Sequence, residues 1–85
     1  MNIKTFRVSV THEHIEKGLL KSCTLCPIAL ALRALGDQYS YVVGDRYLYN
    51  IHQEIVALLP EEARAFIVRF DAGDYVEPFE FEVIS

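Results

Sequence analysis

The sequence has no tryptophan, and its 85 residues include only 4 glycines, 3 prolines and 2 cysteines. The glycines stand singly, so there is no Gly-rich loop to cradle a phosphate, and no serine sits in a nucleophile elbow. Lysine and arginine total 8 against 12 carboxylates, a net charge of -4, and they never cluster. Phosphate backbones are bound by clustered cations, so direct nucleic-acid binding is not expected. The longest uncharged run, Ser22 to Leu32, is interrupted by Pro27. It falls short of the roughly 18 apolar residues that a membrane helix needs, so no membrane partner is expected. Met1 to Val10 contains no apolar stretch of signal-peptide length, which points to a cytoplasmic protein.

What the chain does have is apolar side chains: 52% of residues are hydrophobic and 12% aromatic. A chain of this size buries roughly 60 to 65% of the surface its unfolded form exposes, enough for one core and one domain spanning residues 1–85. The composition is too apolar for disorder. Charge is unevenly spread, +3 over residues 1–36 and -6 over residues 54–85. No more than two carboxylates are adjacent anywhere, so an ordinary solvated surface is favoured over a face built for a basic partner.

Phe6, Val8 and Val10 alternate with Thr5, Arg7 and Ser9, the period of a half-buried strand. Thr11 offers an N-cap oxygen for a short helix over His12 to Lys17, closed by Gly18. A second helix starts near Cys23 to Pro27 and ends at Leu35 with Gly36 as a left-handed cap. Its large apolar face holds Leu25, Ile28, Leu32 and Leu35. Its opposite side, Cys26, Leu30, Arg33 and Ala34, is small but hardly polar, so a homodimer or partner contact through that side is expected. Tyr39 to Val43 and Arg46 to Ile51 form a hairpin about Gly44-Asp45, with Val43 opposite Arg46 and Tyr41 opposite Leu48. Tyr39, Tyr41 and Leu48 then share one face, and Val42, Tyr47, Tyr49 and Ile51 the other. Neither face is polar, so one of them meets the helices and the other awaits a third layer or a partner. His52 to Leu59 is read as extended, against a short helix capped by Asn50. Pro60 opens a helix to Asp71 or Ala72 with a core stripe of Ala63, Phe66, Ile67 and Phe70. Phe79, Phe81 and Val83 alternate with Glu80 and Glu82 in a last strand. The fold class is therefore α+β: a small, mainly antiparallel sheet of four or five strands with two main helices on one face.

Cys23-Thr24-Leu25-Cys26 before Pro27 is the most suggestive local motif, since a helix N-terminus stabilises thiolate. No buried strand precedes it, which argues against thioredoxin-like redox catalysis. With His12 and His14 the pair makes a two-histidine, two-cysteine zinc set. Thr11 as a helix cap puts the two histidines about 200° apart, so at most one can bind, and two buried, reduced cysteines are the favoured reading. Asp71, Asp74 and Glu77 lack calcium-loop spacing and read as a helix end and turn. No catalytic constellation emerges, and the chain is not expected to be an enzyme. Tyr39, Tyr41, Tyr47 and Tyr49 are candidate contact residues, because tyrosine gives rigid area with a polar tip; half-buried strand packing is the competing explanation.

Several of these pieces together resemble a family of short, uncharacterised proteins of tailed phages and prophages. The matching segments are Thr11-His12-Glu13-His14-Ile15 with Gly18, Cys23-Thr24-Leu25-Cys26-Pro27-Ile28-Ala29-Leu30-Ala31-Leu32, and Leu59-Pro60 with Phe66-Ile67. Phe70-Asp71-Ala72-Gly73 and Val76-Glu77-Pro78-Phe79-Glu80-Phe81 complete the match over about residues 8–83. The resemblance implies a phage or mobile-element origin and transfers no catalytic or ligand residue. The expected function is a non-enzymatic interaction protein in the cytoplasm of an infected or lysogenic bacterium, binding and modulating or inhibiting a host or defence component, or meeting a phage protein. The alternatives are a ligand-sequestering oligomer, in which a nucleotide stacks on tyrosine beside Arg46 or Arg33, and a small zinc or thiol protein.

Overall fold

The computed structural model describes residues 5–84; Lys4, counted among the N-terminal cations, lies outside them. The two strictly alternating segments find each other. Strand β1 (Thr5–Val10) pairs antiparallel with β5 (Phe79–Ile84), Val8 opposite Phe81 and Phe6 opposite Val83. Val8, Val10, Phe81 and Val83 are buried, while Arg7 and Glu80 pair at 3.0 Å on the wet side. That exposed ion pair contributes under about 1 kcal/mol, so the apolar face sets the register, which a one-residue slip would turn to solvent.

Helix α1 (His12–Lys17) starts on a reciprocal cap: the Thr11 hydroxyl accepts from the His14 N–H at 3.3 Å, and His14 Nδ1 accepts from the Thr11 N–H at 3.0 Å. Helix α2 (Pro27–Leu35) follows a loop, with Cys26 at its N-cap. It buries Ile28, Ala29, Ala31 and Leu32, and packs on β1 and α1. Three expectations for this helix are corrected. Leu25 and Leu35 are 40% and 43% exposed, because one precedes the helix and the other ends it, beyond the supporting layer. Cys26 is buried rather than placed on the outer side, because its extended backbone (φ -71, ψ 165) takes it off the helical projection. Gly36 ends α2 at φ 145 with an extended ψ of 160, a conformation open to glycine but not the left-handed cap expected.

After a 3₁₀ turn at Asp37–Tyr39, strands β2 (Val42–Val43), β3 (Tyr47–Tyr49) and β4 (Ile55–Leu58) form an antiparallel meander. The hairpin register differs from the expected one: Val43 faces Leu48 and Val42 faces Tyr49. The Gly44 N–H donates to the Tyr47 carbonyl at 2.9 Å, so Asp45 and Arg46 occupy the turn instead of Gly44 and Asp45. A two-residue shift preserves parity, so the same side chains share each face. Of the stretch His52 to Leu59 read as extended, Ile55–Leu58 forms a strand, but its start is a turn that Asn50 makes by accepting the His52 and Glu54 N–H groups at 2.8 and 3.0 Å.

Helix α3 (Glu61–Asp71) begins after Pro60, buries Ala63, Phe66 and Phe70, and sets Phe66 4.8 Å from Phe79 of β5. The fold is α+β with antiparallel pairing throughout, its strands divided between a two-stranded and a three-stranded sheet. One cluster, including Val8, Ile28, Leu32, Leu48, Leu59 and Phe81, fills the space between. The radius of gyration, 11.8 Å, matches the roughly 12 Å of a compact chain of this length. Among the described residues no helix is long and apolar enough to cross a membrane.

Candidate functional site

The three-stranded sheet settles which tyrosines pack inward. Val43, Leu48 and Ala57 are buried on the core face. Tyr39 and Tyr41 pack against the same core, with the Tyr39 ring 4.8 Å from Phe6 and 6.2 Å from Tyr41. The alternation then gives the outer face to Val42, Tyr47 and Tyr49, joined through the register by Leu58 opposite Tyr47 and Ile55 opposite Tyr49. No charged side chain belongs to this set.

Local structure explains the arrangement. A bulge between β3 and β4 inserts Val56, so Ile55 and Leu58 reach one face although they are three residues apart. Gly44 is required where it stands: a Cβ there would lie 2.8 Å from Tyr49 Cε2, so only glycine lets that ring lie across the sheet. Tyr47 and Tyr49 meet edge to face at 6.3 Å and are half-buried by these neighbours. Ile55 and Leu58 are 60% and 58% exposed, and Ile51 at the turn tip is 78% exposed. The result is an apolar sheet face with tyrosines lying across it and aliphatic side chains standing at its edge. Chemically it can exclude water from a complementary surface and offer two phenolic hydroxyls.

On α2 the structure leaves Arg33 and Ala34 exposed and Leu30 half-buried, a narrower surface broken by a cation. The cysteine motif divides differently from its expected reading. Cys26 is buried, and its Sγ accepts the Ala29 N–H at 3.5 Å; Cys23 is exposed, a correction that follows from its place in the loop ahead of the helix. The Cys23 carbonyl accepts the Val43 N–H at 2.8 Å, tying the loop to β2. Among the described residues no three His, Cys, Asp or Glu side chains converge in a metal-holding group, so His12, His14, Cys23 and Cys26 are not brought together as a zinc set.

Burial pushes the Cys26 thiol above its ordinary value of 9.0, with Asp71 and Cys23 adding to the rise and the N–H groups of Ala29 and Ile28 opposing it. The folded state therefore holds this proton more tightly than the unfolded one. Its stabilising contribution is complete below pH 9.0 and is lost as pH rises through the folded value. Thermal unfolding followed across that alkaline range should show a steeper loss for the native chain than for Cys26→Ala; parallel slopes would contradict the assignment. In the native state iodoacetamide should modify Cys23 well before Cys26.

Sequence reading put Ile51 on the face of Tyr47 and Tyr49, where the structure sets it in the turn after β3, and missed Ile55 and Leu58. The bulge breaks the alternation that would have marked these two as neighbours of Tyr47 and Tyr49. No protein-family model, curated protein or solved structure matches the chain.

Proposed function

We propose that this chain is a small, non-enzymatic interaction protein that docks on a host or defence protein through the outer face of β2, β3 and β4, and so modulates or inhibits it. One observation carries the reading: an uncharged sheet face bearing Tyr47 and Tyr49, with Ile55 and Leu58 more than half exposed beside them. Interfaces are depleted of charge at their centres and enriched in tyrosine, and their energy concentrates in a few such anchors. The phage or prophage origin, and with it a cytoplasmic setting in a bacterial host, rests on the resemblance of the Cys23 to Leu32 and Val76 to Phe81 segments. The nucleotide-sequestering alternative has weaker support. It needs a tyrosine beside Arg46 or Arg33, and the cavity of about 210 Å³ between the start of α2 and α3 is lined by neither tyrosine nor arginine.

Affinity capture from bacterial lysate, run in parallel with the native chain and Leu58→Glu, tests the proposal. The native chain should retain a discrete protein at near-equal stoichiometry, and the variant, unfolding at an unchanged temperature, should lose it. Retention of no protein, or equal retention by both chains, counts against the reading.

A further inference from the structure

The cavity of about 210 Å³ opens between the start of α2 and α3, where Val43, Gly44 and Asp45 of β2 and the following turn reach it. Its wall is apolar, with Val43, Phe66 and Phe70 among the lining side chains and the Cys26 thiol beside them. A space below the size of ordinary ligand pockets, apolar inside and open at its mouth, suits one inserted side chain.

The rim decides the neighbours of that side chain. Asp45 and Asp71 stand there with Lys21. Among the described residues neither carboxylate forms an ion pair. Asp71 is fixed in place because its Oδ1 accepts the Lys21 backbone N–H at 2.9 Å, where Lys21 holds a φ of 58. The net charge of -4 adds to the field, although the wall also draws on residues 21–28 of the segment that carries +3.

We propose that this cavity is an anchor site for a segment of a partner protein that inserts one aromatic or branched aliphatic side chain flanked by lysine or arginine. The proposal rests on the reading of the chain as an interaction protein but uses none of Val42, Tyr47, Tyr49, Ile55 and Leu58, so each can fail without the other.

The test is an NMR titration of the ¹⁵N-labelled full chain with blocked peptides of sequence Gly-Lys-Phe-Lys-Gly, Gly-Glu-Phe-Glu-Gly and Gly-Lys-Ser-Lys-Gly. The lysine-phenylalanine peptide should shift the Cys26, Ile67 and Phe70 amides saturably and slow alkylation of Cys23, which also lines the cavity. It should bind about threefold or more tightly than the glutamate peptide, the size expected of exposed ion pairs. The serine peptide should not saturate. In the Asp45→Asn/Asp71→Asn variant the preference for lysine should disappear; asparagine keeps an acceptor for the Lys21 N–H, and an unchanged unfolding temperature confirms the fold. Equal binding of the lysine and glutamate peptides, no saturable shift, shifts confined to Tyr47, Tyr49 and Leu58, or concentration-dependent shifts at the cavity without peptide would each overturn the proposal. The last result would give the cavity to a second copy of this chain.

Discussion

Replacing Leu32 by alanine should destabilise the protein by about 2–5 kcal/mol, as for other fully buried leucines. Leu32 is 0% exposed in the cluster that α2 shares with β1 and the three-stranded sheet. The truncation loses the transfer free energy of the removed atoms and leaves a cavity that β1, held by its ladder to β5, cannot collapse to fill. A domain of this size has a total stability of about 4–13 kcal/mol, so the change would remove a large share of it. Each kcal/mol corresponds to about 4–8 °C in unfolding temperature at this length, which makes the drop easy to measure. Leu35→Ala on the same helical stripe should cost under about 1 kcal/mol because that side chain is already 43% exposed. Urea unfolding of the two variants separates them, and equal losses would contradict the placement of α2.

Gly18→Ala should also destabilise, by about 1–3 kcal/mol, although glycine to alanine is often stabilising. The backbone there (φ -68, ψ 147) is open to alanine, and reduced freedom of the unfolded chain would favour the substitution by about 0.4–1 kcal/mol. Packing outweighs that gain. A Cβ at Gly18 would stand 2.5 Å from Cδ and 2.7 Å from N of Pro27, part of a rigid ring at the first turn of α2. Neither group can swing aside, so α1 and α2 must separate, and their contact is what seats Pro27 and Ile28 in the core. A rise in unfolding temperature for Gly18→Ala would show that this close approach does not hold in solution.

Those two residues mark the limits of reading the sequence. Alternation at Phe6 to Val10 and Phe79 to Val83, the Thr11 cap and the Ala63 to Phe70 stripe were legible because each depends on local periodicity or a single hydrogen bond. Division of the strands into two sheets was not, since nothing local says whether β1 pairs with β5 alone or joins the hairpin. The role of Gly18 was legible only as a helix stop; its close approach to Pro27 is a tertiary contact. For the site, parity of the hairpin placed Tyr47 and Tyr49 together even with the turn residue misassigned. Which side faced the core was not legible, since both faces are apolar and Leu48 is fully buried only in the packed fold, and Ile55 and Leu58 joined the face only through a bulge. Cys23 and Cys26, alike in sequence, part company because one lies in a loop and the other caps a helix.

The central claim is that binding energy resides on the outer sheet face and not on the outer side of α2. Affinity of the captured partner, measured for Leu58→Glu and for Ala34→Glu, tests it most directly. A centrally placed anchor is worth about 2 kcal/mol or more, so Leu58→Glu should weaken binding by about thirtyfold or more. Ala34→Glu, on the exposed side of α2, should leave it unchanged. Full affinity in Leu58→Glu together with a loss in Ala34→Glu would move the interface to the helix and contradict the account.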